Sequence, residues 1–493
     1  MPRKNNVDGG MHTAESVDRI ADELRNIVGP ENVSTSELDR VIYMLQGTAY
    51  DRLPYRPEIV VIPENTYQIS RILSYASKKR IPVTAKGGVG MGVSVAREGG
   101  ILLDMCRMDK ILRIDEDRQI VIAEGGASVY NIHHELRKRG LLLPNYGSYE
   151  SAANIGAAFI NMGMGYGTTK YGLIPDMTIG LEAVLPSGEV LRFGALLNEN
   201  MPAGVFQKNV LGPDLMGLFS HSQGALGIIT RIALRVIRGN LEDFGRYCYA
   251  WPHDRIEDYA KATIDQIKNE TYDIHFNDRW TFLPFIESGE LSEIPEDAWF
   301  FNSIIIEARS DEEQKAKEKQ MRDTLEKRGK GREIPEIAEK FMGDHYYSVC
   351  GRNGWCAETN KRGFGPYTVL SMYYPMDFFP QMYMVDEKAK KEAGLWERKH
   401  LPTQDAYITR EIAIKSEWFV HYNPHNPEDM KKLALWRSKV VPVITQSGVV
   451  VRYPIPPLYP IYFWDRLGQT YELIKKIKKM IDPENVLSPG AIY

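Results

Sequence analysis

The stretch Ile81-Pro82-Val83-Thr84-Ala85-Lys86-Gly87-Gly88-Val89-Gly90-Met91-Gly92 reads as a short apolar strand running into a glycine-rich loop. Glycines hold no Cβ atoms to keep a ligand away, and such a loop can turn several backbone N–H groups into one concavity, which suits a pyrophosphate. The spacing matches neither G-x-G-x-x-G nor G-x-x-x-x-G-K-[ST], so the surrounding chain has to decide what the loop holds.

Working outward, Pro57 to Pro63 is a strand bounded by prolines, and Asn65 to Arg80 has the apolar spacing of an amphipathic helix. Gly100 to Asp104 is a further strand. Ile114 to Glu124 reads as two short strands about a turn, and Gly125 to Gly140 as a helix with Gly140 as its stop. Upstream, Ala14 to Gly29 is a helix closed by Gly29-Pro30. This is an α+β arrangement of short strands rather than a regular βαβ repeat. A second glycine-rich region, Pro144 to Gly172, combines the small residues 151–158 with glycines 163, 165 and 167. Two glycine-rich loops in one α+β domain point to a large ligand. Strands at Met177–Leu185, Val190–Phe193 and Arg231–Ile237 complete this part.

A chain of 493 residues calls for two or three domains. Its 43% apolar and 26% charged residues are those of a globular protein, and a net charge of −4 excludes a basic nucleic-acid surface. Residues 1–15 lack the apolar core of a signal peptide, and no run of about 18 apolar residues occurs, so no membrane span and a cytoplasmic location are expected. Four cysteines with no C-x-x-C pair give no disulfide framework and no zinc site.

Five segments then carry a resemblance: RPEIVVIPENTYQIS, PVTAKGGVGMG, ANIGAAFINMGMGYGTTKYG, LEAVLPSGEVLRFG and GLFSHSQGALGIIT, with IDPENVLSPGAIY at the C-terminal end as a sixth. Together they resemble the FAD-binding domain of the vanillyl-alcohol oxidase/p-cresol methylhydroxylase flavoprotein family. The resemblance implies an FAD-binding domain of the p-cresol methylhydroxylase type over 1–239, an α+β cap domain forming the substrate cavity over 240–453, and a C-terminal segment 454–493 returning to the FAD domain. It implies cofactor contacts from Lys86, Gly87, Gly88, Val89, Gly90 and Met91, from Pro144, Asn145 and Gly147, and from Ser151, Asn154, Ile155, Gly163 and Gly167. Gly227, Ile228 and Ile229 would add backbone bonds.

Within the family, one group resembles glycolate and D-lactate dehydrogenases and carries a His-rich metal segment late in the chain. Here His421 and His425 stand in HYNPH, a strand end and turn, and no metal is expected. The group acting on para-substituted phenols is the better match, through GPDLMGLFSHSQGALGIIT, Arg410-Glu411 and VVVRYPI. That match puts Arg452 where a substrate phenolate is bound, although an arginine among aromatics suits a carboxylate equally well. Where the phenol group has a catalytic aspartate this chain has Asn145, which cannot act as a base. Tyr166, Tyr171 and Tyr453 are therefore the candidate proton acceptors. The cap strand Lys415-Ser416-Glu417-Trp418-Phe419 has no flavin-linking histidine, so FAD is expected to be non-covalent. His133 and His134 read as helix residues without a catalytic part.

The reading that follows is an FAD-dependent oxidase or dehydrogenase for a small aromatic substrate, with hydride transfer to flavin N5. A 2-hydroxyacid dehydrogenase and a flavin subunit of an electron-transfer complex are the alternatives. A homodimer or higher homo-oligomer is expected, and an electron-acceptor protein is a candidate partner.

Overall fold

The structure, a computed structural model, describes residues 14–43, 56–88, 100–147, 153–198, 200, 208, 212–285, 291–342, 361–451 and 467–492. Helix Thr66–Lys79 shows how local signals become packing. Asn65 caps it by accepting from the Gln68 N–H at 3.0 Å, a contact of about 1 kcal/mol. Ile69, Ile72, Leu73 and Ala76 form one buried stripe, and Arg80 ends the helix at φ 56°. Each buried Ile or Leu contributes about 1.5–3 kcal/mol. That stripe and the matching one of helix Ala14–Val28 (Ile20, Ala21, Leu24, Val28) cover a four-stranded sheet in the order Val33–Ser34, Ile59–Val61, Ile101–Asp104, Val83–Lys86. The last three strands are parallel.

A second, antiparallel sheet runs Val190–Gly194, Thr178–Val184, Ile228–Arg235, Ile120–Glu124, Ile111–Asp115. A third, of eight antiparallel strands, is built from later residues: Arg332–Glu333, Gly245–Trp251, Phe300–Ile306, Asp273–Asp278, Gln404–Ile408, Ala413–His421, Tyr367–Pro375 and Val450–Val451. Its register places Ile274, Phe276, Ala406, Ile408, Ile414, Trp418, Leu370, Met372 and Tyr374 on one side, where they pack with residues of helices Ile256–Ile267, Phe379–Glu392 and Pro427–Gln446 in one core. The opposite side turns toward the first half of the chain. Finally, helix Gln469–Ile481 leads into residues 486–488, which lie along Val83 through Val83 N–H to Val486 O (2.9 Å) and Ser488 N–H to Val83 O (2.8 Å).

The mixed α+β class is as the sequence implies. Several local expectations change. Helix Val129–Arg137 starts four residues later than Gly125, because the Gly125 N–H is bonded to Thr230 O (2.9 Å) and Ser128 is the cap. The strand expected from Arg231 begins at Ile228. The charged run Asp311–Arg332 reads from its sequence as one solvated helix; it is helical to Arg328, with the wider i to i+5 bonding of a π-helix over Asp323–Arg328, and Arg332 is already in a strand. The run Ala406–Ile414, which by its sequence alone reads as a single strand, is a hairpin with its turn between Ile408 and Ala413.

Candidate functional site

The first glycine loop leaves strand Val83–Lys86 beside the Lys86 ammonium, which stands 5.0 Å from the centre of the Tyr43 ring. A Cβ on Gly87 would come within 2.6 Å of Ala157 Cβ, so only glycine lets this backbone lie on the first turn of helix Ile155–Ile160. Asn154 sits at the same point and donates from Nδ2 to Gly126 O. The helix start is tied further by Ile155 N–H to Ala127 O (2.8 Å) and Gly156 N–H to Gly125 O (2.9 Å). Gly125 in turn reaches the strand that Ile228 and Ile229 open, next to Gly227. Four segments far apart in sequence thus bring Lys86, Gly87, Gly88, Asn154, Ile155, Gly227, Ile228 and Ile229 to one end of two sheets. Val89, Gly90, Met91 and Ser151 lie outside the described residues.

The second region is a polar knot. Asn145, fully buried, donates from Nδ2 to Gly172 O (2.7 Å), Thr168 Oγ1 (3.1 Å) and, more distantly, Gly163 O (3.5 Å). Tyr146-Gly147 pairs with Gly165-Tyr166. Gly167 holds φ +89° with Pro144 O directly behind it, which no side chain would tolerate. Tyr166 is fully buried. Tyr171 donates its hydroxyl to Glu307 Oε2 (2.8 Å), an oxygen that also takes the Lys170 ammonium (2.7 Å). Burial first, then the Glu307 charge, push the Tyr171 phenol well above its usual range, so at neutral pH it is a donor and not a proton acceptor. His133 is buried with its ring 4.0 Å from that of Tyr146, and burial drives it down to about 3, keeping it neutral. His134 is exposed. Arg452 and Tyr453 lie outside the described residues; they follow Val451, which pairs with Met372.

Facing this knot is the other side of the eight-stranded sheet. The register aligns His275, Tyr407, Lys415 and Tyr373 across four neighbouring strands, and Asn277, Asp405, Glu417 and Ser371 in the next row. His275 and Tyr407 rings are 4.5 Å apart, Lys415 Nζ lies 5.3 Å from the Tyr407 ring, and Lys415 is ion-paired with Glu417. Lys415 and Glu417 are both buried, at 2% and 0% exposure. The two halves meet here: Tyr373 Oη contacts Met164 Sδ at 3.4 Å, Thr169 Oγ1 donates to Ile408 O at 2.9 Å, and Gly167 N–H donates to Asp273 Oδ1 at 3.0 Å. Burial raises the Asp273 carboxyl to about 8, against the opposing bonds from Gly167 and Thr169.

The sequence alone does not reveal this face: Lys415 and Glu417 stand out there only for the histidine their strand lacks, and His275, Asp273, Asp405 and Tyr407 belong to no local motif. The available signal was charge at alternate positions of an otherwise apolar strand, where ionic side chains are almost never buried unless paired.

The donor set fits a dinucleotide carrying a heteroaromatic ring. Glycine backbone and the Lys86 cation suit phosphates. Among the described residues, buried Asn145 Oδ1 and buried Gln223 Nε2 find no hydrogen-bond partner. Unmet buried acceptors and donors are rare in native proteins, and the polar edge of a ring system would satisfy them.

Residues 57–194 match the FAD binding domain family. Glycolate oxidase subunit GlcD of Bacillus subtilis (strain 168) is 32% identical over 223 residues, 44% of each chain. D-lactate dehydrogenase of Anaerostipes hadrus is 31% identical over 186 residues, 37% of each. The chain thus spans less than half the length of these curated relatives. Solved structures are similar over nearly the whole chain. One is p-cresol methylhydroxylase with substrate bound, with TM-score 0.83, 18% identity and 97% of both chains. Another is 4-ethylphenol oxidase from Gulosibacter chungangensis, with TM-score 0.82, 16% identity and 98% of both. No helix among the described residues is long and apolar enough to cross a membrane.

Proposed function

Starting from an FAD-binding domain set in the p-cresol methylhydroxylase-type flavoprotein fold, we propose that this chain is an FAD-dependent oxidoreductase that oxidises a small aromatic substrate, a para-substituted phenol or an aromatic alcohol. The observation that carries the reading is the polar, aromatic face of the eight-stranded sheet, buried against the second glycine-rich region through Met164, Gly167 and Thr169. FAD is held non-covalently by Lys86, the glycine loop, Asn154, Ile155 and the backbone of Gly227–Ile229. When bound, it supplies a two-electron acceptor for a substrate C–H bond at flavin N5.

The protein's own part is orientation and proton handling. Tyr407, Tyr373 and Tyr166 offer flat apolar surface to an aromatic ring. Arg452, which follows the strand end beside Met372, binds the phenolate. Lys415 and Glu417 fix the orientation of polar substituents and exclude water from their side. Asn145 orients and cannot accept a proton. With Tyr171 committed to Glu307, Tyr166, Tyr453 and Glu417 are the groups left to take the substrate's proton. The division at residues 239 and 453 belongs to the same proposal; it is supported by strand pairs that, among the described residues, never join a strand before residue 239 to one in 240–451, and by the return of residues 486–488 to Val83. Homo-oligomer formation, an electron-acceptor protein partner and a cytoplasmic location are likewise part of it.

A second reading, oxidation of a 2-hydroxyacid, is favoured by the names of the two sequence relatives and by a cation, Lys415, in the buried face. Anaerobic bleaching of the bound flavin by a panel of alkylphenols, aromatic alcohols and 2-hydroxyacids separates the two. Bleaching by phenols or aromatic alcohols supports the first reading, bleaching by hydroxyacids alone the second.

A further inference from the structure

Lys478 lies on helix Gln469–Ile481 and is 1% exposed; burial pushes its pKa below the usual lysine value, and the Asp482 carboxylate opposes that shift. Its ammonium uses all three donors: Ala225 O at 2.9 Å, Leu487 O at 2.8 Å and the carboxylate of Asp482, itself fully buried, at 2.5 Å. Asp482 in turn accepts the N–H groups of Val486 (3.0 Å) and Leu487 (2.8 Å), which shapes the turn into residues 486–488. Those residues are the ones laid along Val83, the start of the strand that ends in Lys86-Gly87-Gly88. Ala225 stands midway between Gln223, with its unmet buried amide, and Gly227. One buried ammonium therefore joins two separated loops, each leading directly to candidate cofactor contacts.

We propose that Lys478 is a positioning residue for the cofactor: through Ala225 and Leu487 it holds the 222–227 loop and the first glycine loop in one fixed relation. Resting on the FAD-binding reading above, this ties the C-terminal segment to the placement of the candidate cofactor contacts. A plain salt bridge would do less. Replacing a buried pair by apolar groups is often neutral for stability, whereas here two of the ammonium's three partners are backbone carbonyls of different segments, the third being Asp482. Lys478→Met leaves both carbonyls without their donor and frees the loops from each other.

The test uses the full chain stripped of FAD and titrated with FAD, with amide hydrogen exchange followed by mass spectrometry. In the wild type, FAD should slow exchange at residues 222–227 and 486–488. Lys478→Met should weaken FAD binding tenfold or more and speed exchange in the FAD-free chain at 83–88 and 222–227. Strand Ala413–His421 should be unmoved. Lys478→Gln keeps a donor and should fall between; it carries the test if Lys478→Met does not fold. A wild type that binds no FAD overturns the reading beneath this one. A wild type that binds FAD, with variants that bind it equally well, overturns the role of Lys478, whether exchange is unchanged or faster throughout the chain.

Discussion

The two faces of the eight-stranded sheet are both buried, and they differ in how much charge their neighbouring strands bring together. One carries Ile274, Phe276, Leu370, Ile408, Ile414 and Trp418 against a layer of helices. The other carries His275, Tyr407, Asp405, Lys415 and Glu417 against the first half of the chain. The first rests mainly on the removal of apolar surface from water, although Asp278 and the Lys390–Asp386 ion pair are buried on that side too. The second works against stability, since buried ions carry a desolvation penalty that their pairing offsets only in part. Local rules are often broken where a site has to do chemistry, and under the proposed function the charged rows of the second face are that site.

The contrast can be tested from the apolar side first. Trp418→Ala empties a fully buried site and should destabilise the protein by about 3–5 kcal/mol. Urea denaturation of the FAD-loaded protein checks this, and the spectrum of flavin in the surviving folded fraction should stay unchanged. A loss below about 1 kcal/mol would mean that this face is not the packed one.

On the charged face, where the two halves of the chain meet, Asp273 gives a pH signature. Its folded pKa is raised to about 8 from 3.8, so the folded chain holds this proton more tightly than the unfolded one. Its contribution is fully present below the unfolded value and is lost as pH rises through the folded one. Asp273→Asn should therefore flatten the fall in stability between about pH 4 and pH 8. An unchanged slope in thermal denaturation across that range would remove Asp273 as its source.

A smaller effect is expected at Asn145. Asn145→Ala deletes the donor to Gly172 O and Thr168 Oγ1, a loss of about 1–3 kcal/mol of local stability. Flavin reduction should be slower, with the pH dependence of its rate retained, because the amide has no ionisation to remove. Disappearance of a pH-dependent step in the reduction kinetics would contradict that.

The cofactor side was legible in the sequence because its signals are local. Glycines cluster within a dozen residues, and helix Thr66–Lys79 follows its own cap and apolar spacing. The cap face was not legible, because it is assembled across strands more than a hundred residues apart, such as His275 beside Tyr407. The hairpin between Ile408 and Ala413 was also missed. Its turn contains no glycine, proline or asparagine, and Ile412 takes φ +59°, a conformation that β-branched residues rarely adopt. Arg452 and Tyr453 were singled out by resemblance, and their assignment rests on that alone.

The central claim is that the polar face serves the substrate and the apolar face serves the fold. The direct measurement is on Lys415→Met/Glu417→Leu, which replaces the buried ion pair by apolar groups of similar size. Such replacements are neutral to stabilising by about 1–4 kcal/mol when the pair is structural only. The variant should fold, bind FAD and melt no lower than the parent. It should lose the perturbation of the flavin spectrum caused by a phenolic ligand, and its rate of anaerobic flavin reduction should fall on the order of a hundredfold or more. A variant that binds the ligand and is reduced like the parent would contradict the account.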